Sequence, residues 1–250
     1  MEYPLPIHKY SEIRDFFVHA IISIERFITN MKILVVGAHL DDIELACGGT
    51  LAKAIRNGHT VKALIMSKSG YTNKEGNVQR SDETAVKEGV EALNTLGIED
   101  ITILDFPTKD IPFRSDVVNA IDLVVSEYNP DVIFTHHPFD THQAHEGVAK
   151  ATIAAARRKN TVFFFEPIQP SGRSYVAFKP DMYVGIDETV DTKIESLKKH
   201  RSEYQKFGGE DWIEGVKSRC GFRGYEIGKK YAEAFEILRL ELTFDEGSKL

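Results

Sequence analysis

Residues 32–39, Lys-Ile-Leu-Val-Val-Gly-Ala-His, form an unbroken apolar run rich in β-branched side chains. That pattern predicts a strand buried on both faces of a parallel sheet. Segments 61–67, 101–105, 131–135 and 161–166 repeat it. Between them the apolar period changes to that of helices. A helical stretch is expected over 49–57, Val86, Val90, Leu93 and Leu96 share one helix face, and Val117, Ile121 and Val124 share another. Beyond residue 167 the pattern loosens, with helices expected over 191–207 and 231–240. Strands alternating with helices imply β-α-β crossovers and an α/β three-layer sandwich around a Rossmann-like, mostly parallel sheet.

One α/β domain is expected over residues 31–245, because no repeat, low-complexity tract or linker divides it. Residues 1–30 read as an N-terminal helical extension. Its apolar stretch 16–28 is interrupted by His19, Glu25 and Arg26, far short of the ~20 apolar residues of a spanning helix. Neither a basic opening region nor a small-residue cleavage site marks a secretory signal.

Composition narrows the partners. The chain has 250 residues, 38 acidic against 31 basic, and a net charge of -7, so no nucleic-acid or anionic-lipid footprint is expected. A small substrate is the natural counterpart, and a homo-oligomer remains open. The two cysteines, Cys47 and Cys220, stand far apart and outside any C-x-x-C pair, which leaves no disulfide framework or thiolate zinc site. A reducing cytoplasm is the expected compartment, although the terminal Ser248-Lys249-Leu250 would be a peroxisomal address in a eukaryote.

In an open α/β sheet the ligand crevice lies beyond the carboxyl ends of the strands. The first strand leads into His39-Leu40-Asp41-Asp42, and the fourth into His136-His137-Pro138-Phe139-Asp140-Thr141-His142-Gln143-Ala144-His145. Five of the nine histidines thus gather with three carboxylates at one edge. Imidazole and carboxylate are the donors of a catalytic zinc, which takes three protein ligands and keeps one position for water. His39 and Asp42 are three apart, as are His142 and His145, so each pair is able to converge on one point. Taken singly these residues have plainer readings: Asp41 and Asp42 could cap a helix, Gly48 and Gly49 could admit close packing, and Cys47 could fill the core. Their meeting at one sheet edge favours a metal site.

The segment Val36-Gly-Ala-His-Leu-Asp-Asp-Ile-Glu-Leu-Ala-Cys-Gly-Gly-Thr50, paired with Pro138-Phe-Asp-Thr-His-Gln-Ala-His145, resembles the two signatures of the PIG-L/LmbE-like zinc-dependent N-deacetylases. Arg80 with Glu83, Leu96-Gly97, the segment 179–187, Lys193, His200-Arg201-Ser202 and the segment 231–235 extend the likeness over about residues 31–240. The resemblance implies that His39, Asp42 and His145 hold one Zn2+ per chain, with Fe2+ or another divalent ion as an alternative. It further implies that Asp41 is the general base and that His142 assists at the oxyanion or the leaving amine. On the substrate side it offers Arg80, toward sugar hydroxyls, and Asp140, which could equally orient a ligand histidine. Leu40 stands where the first signature has proline, and Gln143-Ala144 where the second has Pro-Asp. His136 and His137 stay outside the ligand set, the latter because Pro138 restricts it to extended backbone. Asp105 and Glu166 end strands on the same edge as pocket or rim groups.

The implied activity is hydrolysis of the N-acetyl group of an amino sugar or its conjugate, giving acetate and a free amine. Three alternatives stand beside it. A thiol-sugar conjugate keeps the chemistry and changes the substrate, two histidines with one carboxylate also make the facial triad of iron(II) oxygenases, and a binding module would keep the metal as structure.

Overall fold

The computed structural model describes residues 31–168 and 172–241. The expected extension over residues 1–30, the terminal Ser248-Lys249-Leu250 and the end of the expected domain lie outside them. In chain order the elements are β1 (Lys32–Gly37), α1 (Asp42–Arg56), β2 (Thr60–Ile65), β3 (Tyr71–Thr72), β4 (Val78–Arg80), α2 (Asp82–Thr95), β5 (Asp100–Ile103) and α3 (Ser115–Tyr128). They continue with β6 (Val132–Thr135), α4 (Gln143–Ala155), β7 (Val162–Phe165), β8 (Met182–Gly185), α5 (Val190–Leu197), α6 (Arg201–Lys206), α7 (Glu210–Glu226) and β9 (Ala232–Arg239).

Seven strands form one sheet in the order β5-β2-β1-β6-β7-β9-β8. The first five are parallel, and β9 runs antiparallel to both β7 and β8. Alternate residues of β1 feed opposite faces: Ile33 and Val35 join one apolar cluster, Leu34 and Val36 the other. Burial on both faces is why this strand reads as a continuous apolar run. Strand order reverses between β2-β1 and β1-β6, which opens a crevice at the carboxyl ends of β1 and β6. The three-layer, mostly parallel α/β architecture is as expected.

Three elements differ from the expectation. Residues 231–240 do not form a helix; they are β9, the strand between β7 and β8. Ala, Glu, Leu and Arg favour helix, but two flanking strands pair with this segment, burying Phe235 and half-burying Ile237 on one face and half-burying Leu238 on the other. The helix expected over 191–207 is two, α5 and α6, parted where His200 leaves helical geometry (φ -74, ψ 65) and sends its imidazole into the interior. The stretch expected from Gly49 begins instead at Asp42, kinked at Cys47 (φ -141, ψ 16).

The kink is closed by charge. Glu233 of β9 accepts from the backbone N–H groups of Gly49 and Thr50 at 3.0 and 2.7 Å, and Lys193 of α5 donates to Leu45 O at 2.7 Å and to Glu233 Oε1 at 2.5 Å. Gly49 packs so tightly that a Cβ there would lie 2.7 Å from Ile186 Cδ1, in keeping with the close-packing reading of the glycine pair. This clamp fixes α1, whose first turn carries Asp42. Among the described residues no helix is long and apolar enough to cross a membrane.

Candidate active site

Parallel neighbours β1 and β6, with Val36 opposite Thr135, release their chains at the same edge. The β1 exit carries His39 and Asp42, and the β6 exit runs to His145 in the first turn of α4. His39 Nδ1 lies 3.2 Å from His145 Nε2, His145 Nε2 lies 3.2 Å from Asp42 Oδ1, and His39 Nδ1 lies 3.5 Å from Asp42 Oδ2. Donors about 2.0–2.1 Å from one tetrahedral zinc stand about 3.3–3.4 Å from each other. These three groups therefore fit around one such ion.

The outer nitrogens agree with that fit. His39 Nε2 donates to the Thr108 carbonyl at 2.8 Å, and His145 Nδ1 donates to Asp140 Oδ2 at 3.0 Å. Each bond places the ring proton away from the centre and leaves a lone pair facing it. Asp140 also accepts from the His142 and Arg173 backbone N–H groups and is 3% exposed. The structure thus sets Asp140 behind His145 rather than against the cavity, which favours its orienting role over a substrate contact.

Among the described residues there are two overlapping donor groups, His39 with His142 and His145, and Asp42 with His136 and His145. The hydrogen bonds separate them. His142 caps α4, its Nδ1 accepting from Ala144 N at 3.3 Å, so its proton sits on Nε2 and that nitrogen is a donor. His136 Nε2 accepts from Ala38 N at 3.0 Å and lies 3.1 Å from Asp42 Oδ2, so in the neutral ring its lone pair is taken by the backbone. His137 turns away to Glu236 Oε2 at 2.9 Å.

Electrostatics sort the two adjacent aspartates. Burial pushes Asp42 upward, but His145 and His136 outweigh it and hold the carboxyl well below the usual range. In Asp41 burial dominates, reinforced by Asp42 and Glu203 against His200 and Arg80, and the pKa rises to about 7. His145, buried between Asp42 and Asp140, is raised to about 10 because those carboxylates outweigh its desolvation. The same negative surroundings favour a cation, which would compete with that proton. Burial, then His145 and His39, lower His142 to about 4, so it is neutral near pH 7.

Asp41 sits at φ 151, ψ -22, a conformation that L side chains rarely adopt. Such a residue stores about 1–3 kcal/mol of strain. Its side chain does not cap α1; it lines the cavity. That cavity, about 280 Å³, is lined by His39, His142 and His145 together with Tyr71, Arg80, Glu203, Lys206 and Phe207. Arg80 is 4% exposed rather than a surface arginine at a helix start, and it bonds Glu88 Oε2 at 3.1 Å and His200 Nδ1 at 3.2 Å. His200 in turn meets Glu44 Oε1 at 3.0 Å. Asp105 forms an exposed pair with Lys68, and Glu166 is buried against Arg223, so neither lines the cavity.

Sequence reasoning gives no role to Thr108, Glu203 or Lys206. Thr108 acts through its carbonyl, which every residue has, while Glu203 and Lys206 lie on a short helix whose apolar period is too brief to aim them.

The family model described as PIG-L, GlcNAc-PI de-N-acetylase, matches residues 34–156, a span that holds both histidine-bearing exits. YaiS of Escherichia coli (strain K12), described as an uncharacterized deacetylase, is 31% identical over 177 residues, covering 68% of this chain and 90% of that protein. The N,N'-diacetylchitobiose deacetylase of Pyrococcus horikoshii, complexed with its inhibitor, superposes with a TM-score of 0.72 at 21% identity over 84% of each chain. GalB, the 4-carboxy-2-hydroxymuconate hydratase of Pseudomonas putida KT2440, gives 0.72 at 18% identity over 86% of this chain and 99% of its own. At those identities the two structures share the fold alone, and fold alone does not select a reaction. The relationship to YaiS spans nine tenths of that protein and the family model covers both exits, so this chain belongs to the PIG-L/LmbE-like family of deacetylases.

Proposed function

We propose that this chain is a zinc-dependent N-deacetylase that hydrolyses the acetamide of an N-acetylated amino sugar or sugar conjugate, giving acetate and a free amine. The observation that carries the proposal is the convergence of His39 Nδ1, Asp42 and His145 Nε2 within 3.2–3.5 Å of one another, next to the strained, cavity-facing Asp41. A divalent cation held by these three residues would polarise the amide carbonyl and lower the pKa of an adjacent water.

Asp41 takes a proton from the attacking water as the water oxygen bonds to the acetyl carbon. A proton affinity near neutrality suits a group that must accept and then release. Neutral His142 donates its Nε2–H to the carbonyl oxygen as negative charge grows there. The C–N bond then breaks, and the proton held on Asp41 passes to the leaving nitrogen. Aromatic Tyr71 and Phe207 with polar Arg80 and Lys109 line a space of sugar-like character. Oxygenase and binding-module readings leave the strained Asp41 without a task.

The test is incubation of the zinc-loaded protein with N-acetylglucosamine, diacetylchitobiose, N-acetylglucosaminides bearing acidic aglycones, and thiol-sugar conjugates. Acetate and primary amine are expected in equal amounts from at least one of them. Absence of amine from every N-acetylated sugar would overturn the proposal.

A further inference from the structure

Two buried groups on the cavity wall are left over once the acetamide-hydrolysing residues are assigned. Glu203 of α6 is 3% exposed, and its Oε2 accepts from Lys206 Nζ at 2.8 Å. Its Oε1 has no hydrogen-bond partner among the described residues. Across from it stands Arg80 Nη1 at 3.7 Å, beyond hydrogen-bond range. Arg80 spends Nη2 on Glu88 and His200 and reaches Leu40 O only at 3.4 Å through Nη1, while its Nε has no partner among the described residues. A buried acceptor with no hydrogen bond thus faces a guanidinium whose Nη1 comes no closer than 3.7 Å, and both residues line the cavity that holds Asp41 and His142.

Leaving such groups unpaired costs about 1–3 kcal/mol apiece, more when charged, and proteins keep them chiefly where function supplies the partner. The missing partner must both donate and accept. A ligand carboxylate would be repelled by Glu203 and a ligand ammonium by Arg80, whereas a hydroxyl satisfies both. An oxygen about 2.8 Å from both atoms stands off the line that joins them, so it reaches the pair from the cavity and does not enter between them. The terminal torsion of a glutamate is broad, so a small rotation turns Oε1 toward the cavity.

We propose that Glu203 is a specificity-determining residue that, with Arg80, holds one ring or exocyclic hydroxyl of the sugar. The hydroxyl donates to Glu203 Oε1 and accepts from the guanidinium. This assignment rests on the amino-sugar reading above and adds to it the group that selects among sugars. Hydrogen bonds to charged partners discriminate by about 10- to 100-fold.

The experiment uses the zinc-loaded full chain with the non-hydrolysable product glucosamine and its 3-deoxy, 4-deoxy and 6-deoxy analogues, titrated by NMR. Wild type is expected to bind one of the three about 10- to 100-fold more weakly than glucosamine. Glu203→Gln is expected to lose that discrimination, binding glucosamine about as weakly as the affected analogue and leaving the ratios to glucosamine of the other two unchanged, and its loss on the N-acetylated substrate should appear chiefly in KM. Glu203→Asp, which keeps the charge, should recover part of the selectivity. A merely structural role would weaken all four ligands in parallel. Should Glu203→Gln fail to fold, the wild-type series and Glu203→Asp still decide the matter. Equal binding of all three analogues by wild type, unchanged discrimination in the variants, or no binding of glucosamine would overturn the assignment. Amine release from N-acetylglucosamine with a flat deoxy profile removes the Glu203 role alone; selective binding without amine release removes the deacetylase reading alone.

Discussion

The molecule buries charge in two places with opposite outcomes. At the α1 kink, Lys193 and Glu233 satisfy one another and three backbone groups, and neither lines the cavity. On the cavity wall, Asp41 is strained and hard to ionise, and Arg80 and Glu203 keep unpaired atoms. Both clusters cost desolvation. In the first the protein supplies every partner, so the charge serves the fold; in the second some atoms are left without one, and under the proposed function a substrate would supply it. Completeness of hydrogen bonding, rather than burial or charge, separates the two.

The largest effect expected from breaking this contrast is at Asp41. Asp41→Asn should lower kcat/KM by about 10²- to 10⁴-fold with zinc content unchanged, measured by amine release and metal analysis. The pH dependence has a definite sign. Folding raises the Asp41 pKa from 3.8 to about 7, so the folded chain holds this proton more tightly than the unfolded chain. The stability penalty is absent below the lower value, grows between the two and is fully present above pH 7. Metal-free wild type should therefore lose stability relative to Asp41→Asn as pH rises through that window, which thermal melts at pH 5 and pH 8 would detect. Activity runs the other way. The base must be ionised, so kcat/KM rises with pH on a limb at or below pH 7, since a bound cation lowers the Asp41 pKa.

The counterpart at the kink is Lys193→Met. It leaves Glu233 buried without its cation and should cost about 3–5 kcal/mol of stability in denaturant unfolding. The fraction that remains folded should keep its zinc and its kcat/KM. A large loss of turnover with little loss of stability would erase the distinction between the clusters.

Between these lies the proposed metal centre, where the partner would be an ion. Wild type should gain about 2.7 kcal/mol of stability at a free zinc concentration 100 times its Kd, and His145→Ala should lose most of that gain. Melting curves with and without zinc and chelator give the measurement. An undiminished zinc response in His145→Ala would rule out both donor groups, each of which includes His145.

Legibility divides along the same line. The β1 and β6 exits are readable because apolar runs buried on both faces announce parallel strands, and the residues just beyond the carboxyl ends of such strands lie at the crevice. Strand ends alone thus gather five histidines with three carboxylates; the resemblance singles out His39, Asp42, His145 and Asp41 among them, and the structure brings these four together at one edge. The rest of the cavity is readable only through the resemblance, which offers Arg80 and says nothing of Glu203. Arg80, His200 and Glu203 come from segments up to 123 residues apart, and no local period aims a side chain across that distance. Strand β9 reads as a helix for a related reason: its helix-favouring composition is overridden by partners on both sides that a sequence window does not contain.

The smallest effect, and the sharpest check on the criterion, belongs to His137. It adjoins His136, stands eight residues before His145, and belongs to the same histidine-rich exit. By proximity along the chain it is as good a candidate for chemistry as any of them. Its imidazole, however, is 2% exposed and already bonded, with Nε2 at Glu236 Oε2 and Nδ1 accepting from Phe139 N at 3.4 Å. Both ring nitrogens have protein partners and neither faces the cavity, which places His137 with Lys193 among groups that serve the fold. His137→Asn should therefore cost about 1 kcal/mol of stability through the lost contact with β9, and leave zinc content and kcat/KM within about two-fold of wild type. A drop of 100-fold in turnover with intact stability would show that a fully bonded histidine at this edge takes part in the reaction, and that complete hydrogen bonding does not mark a group as structural.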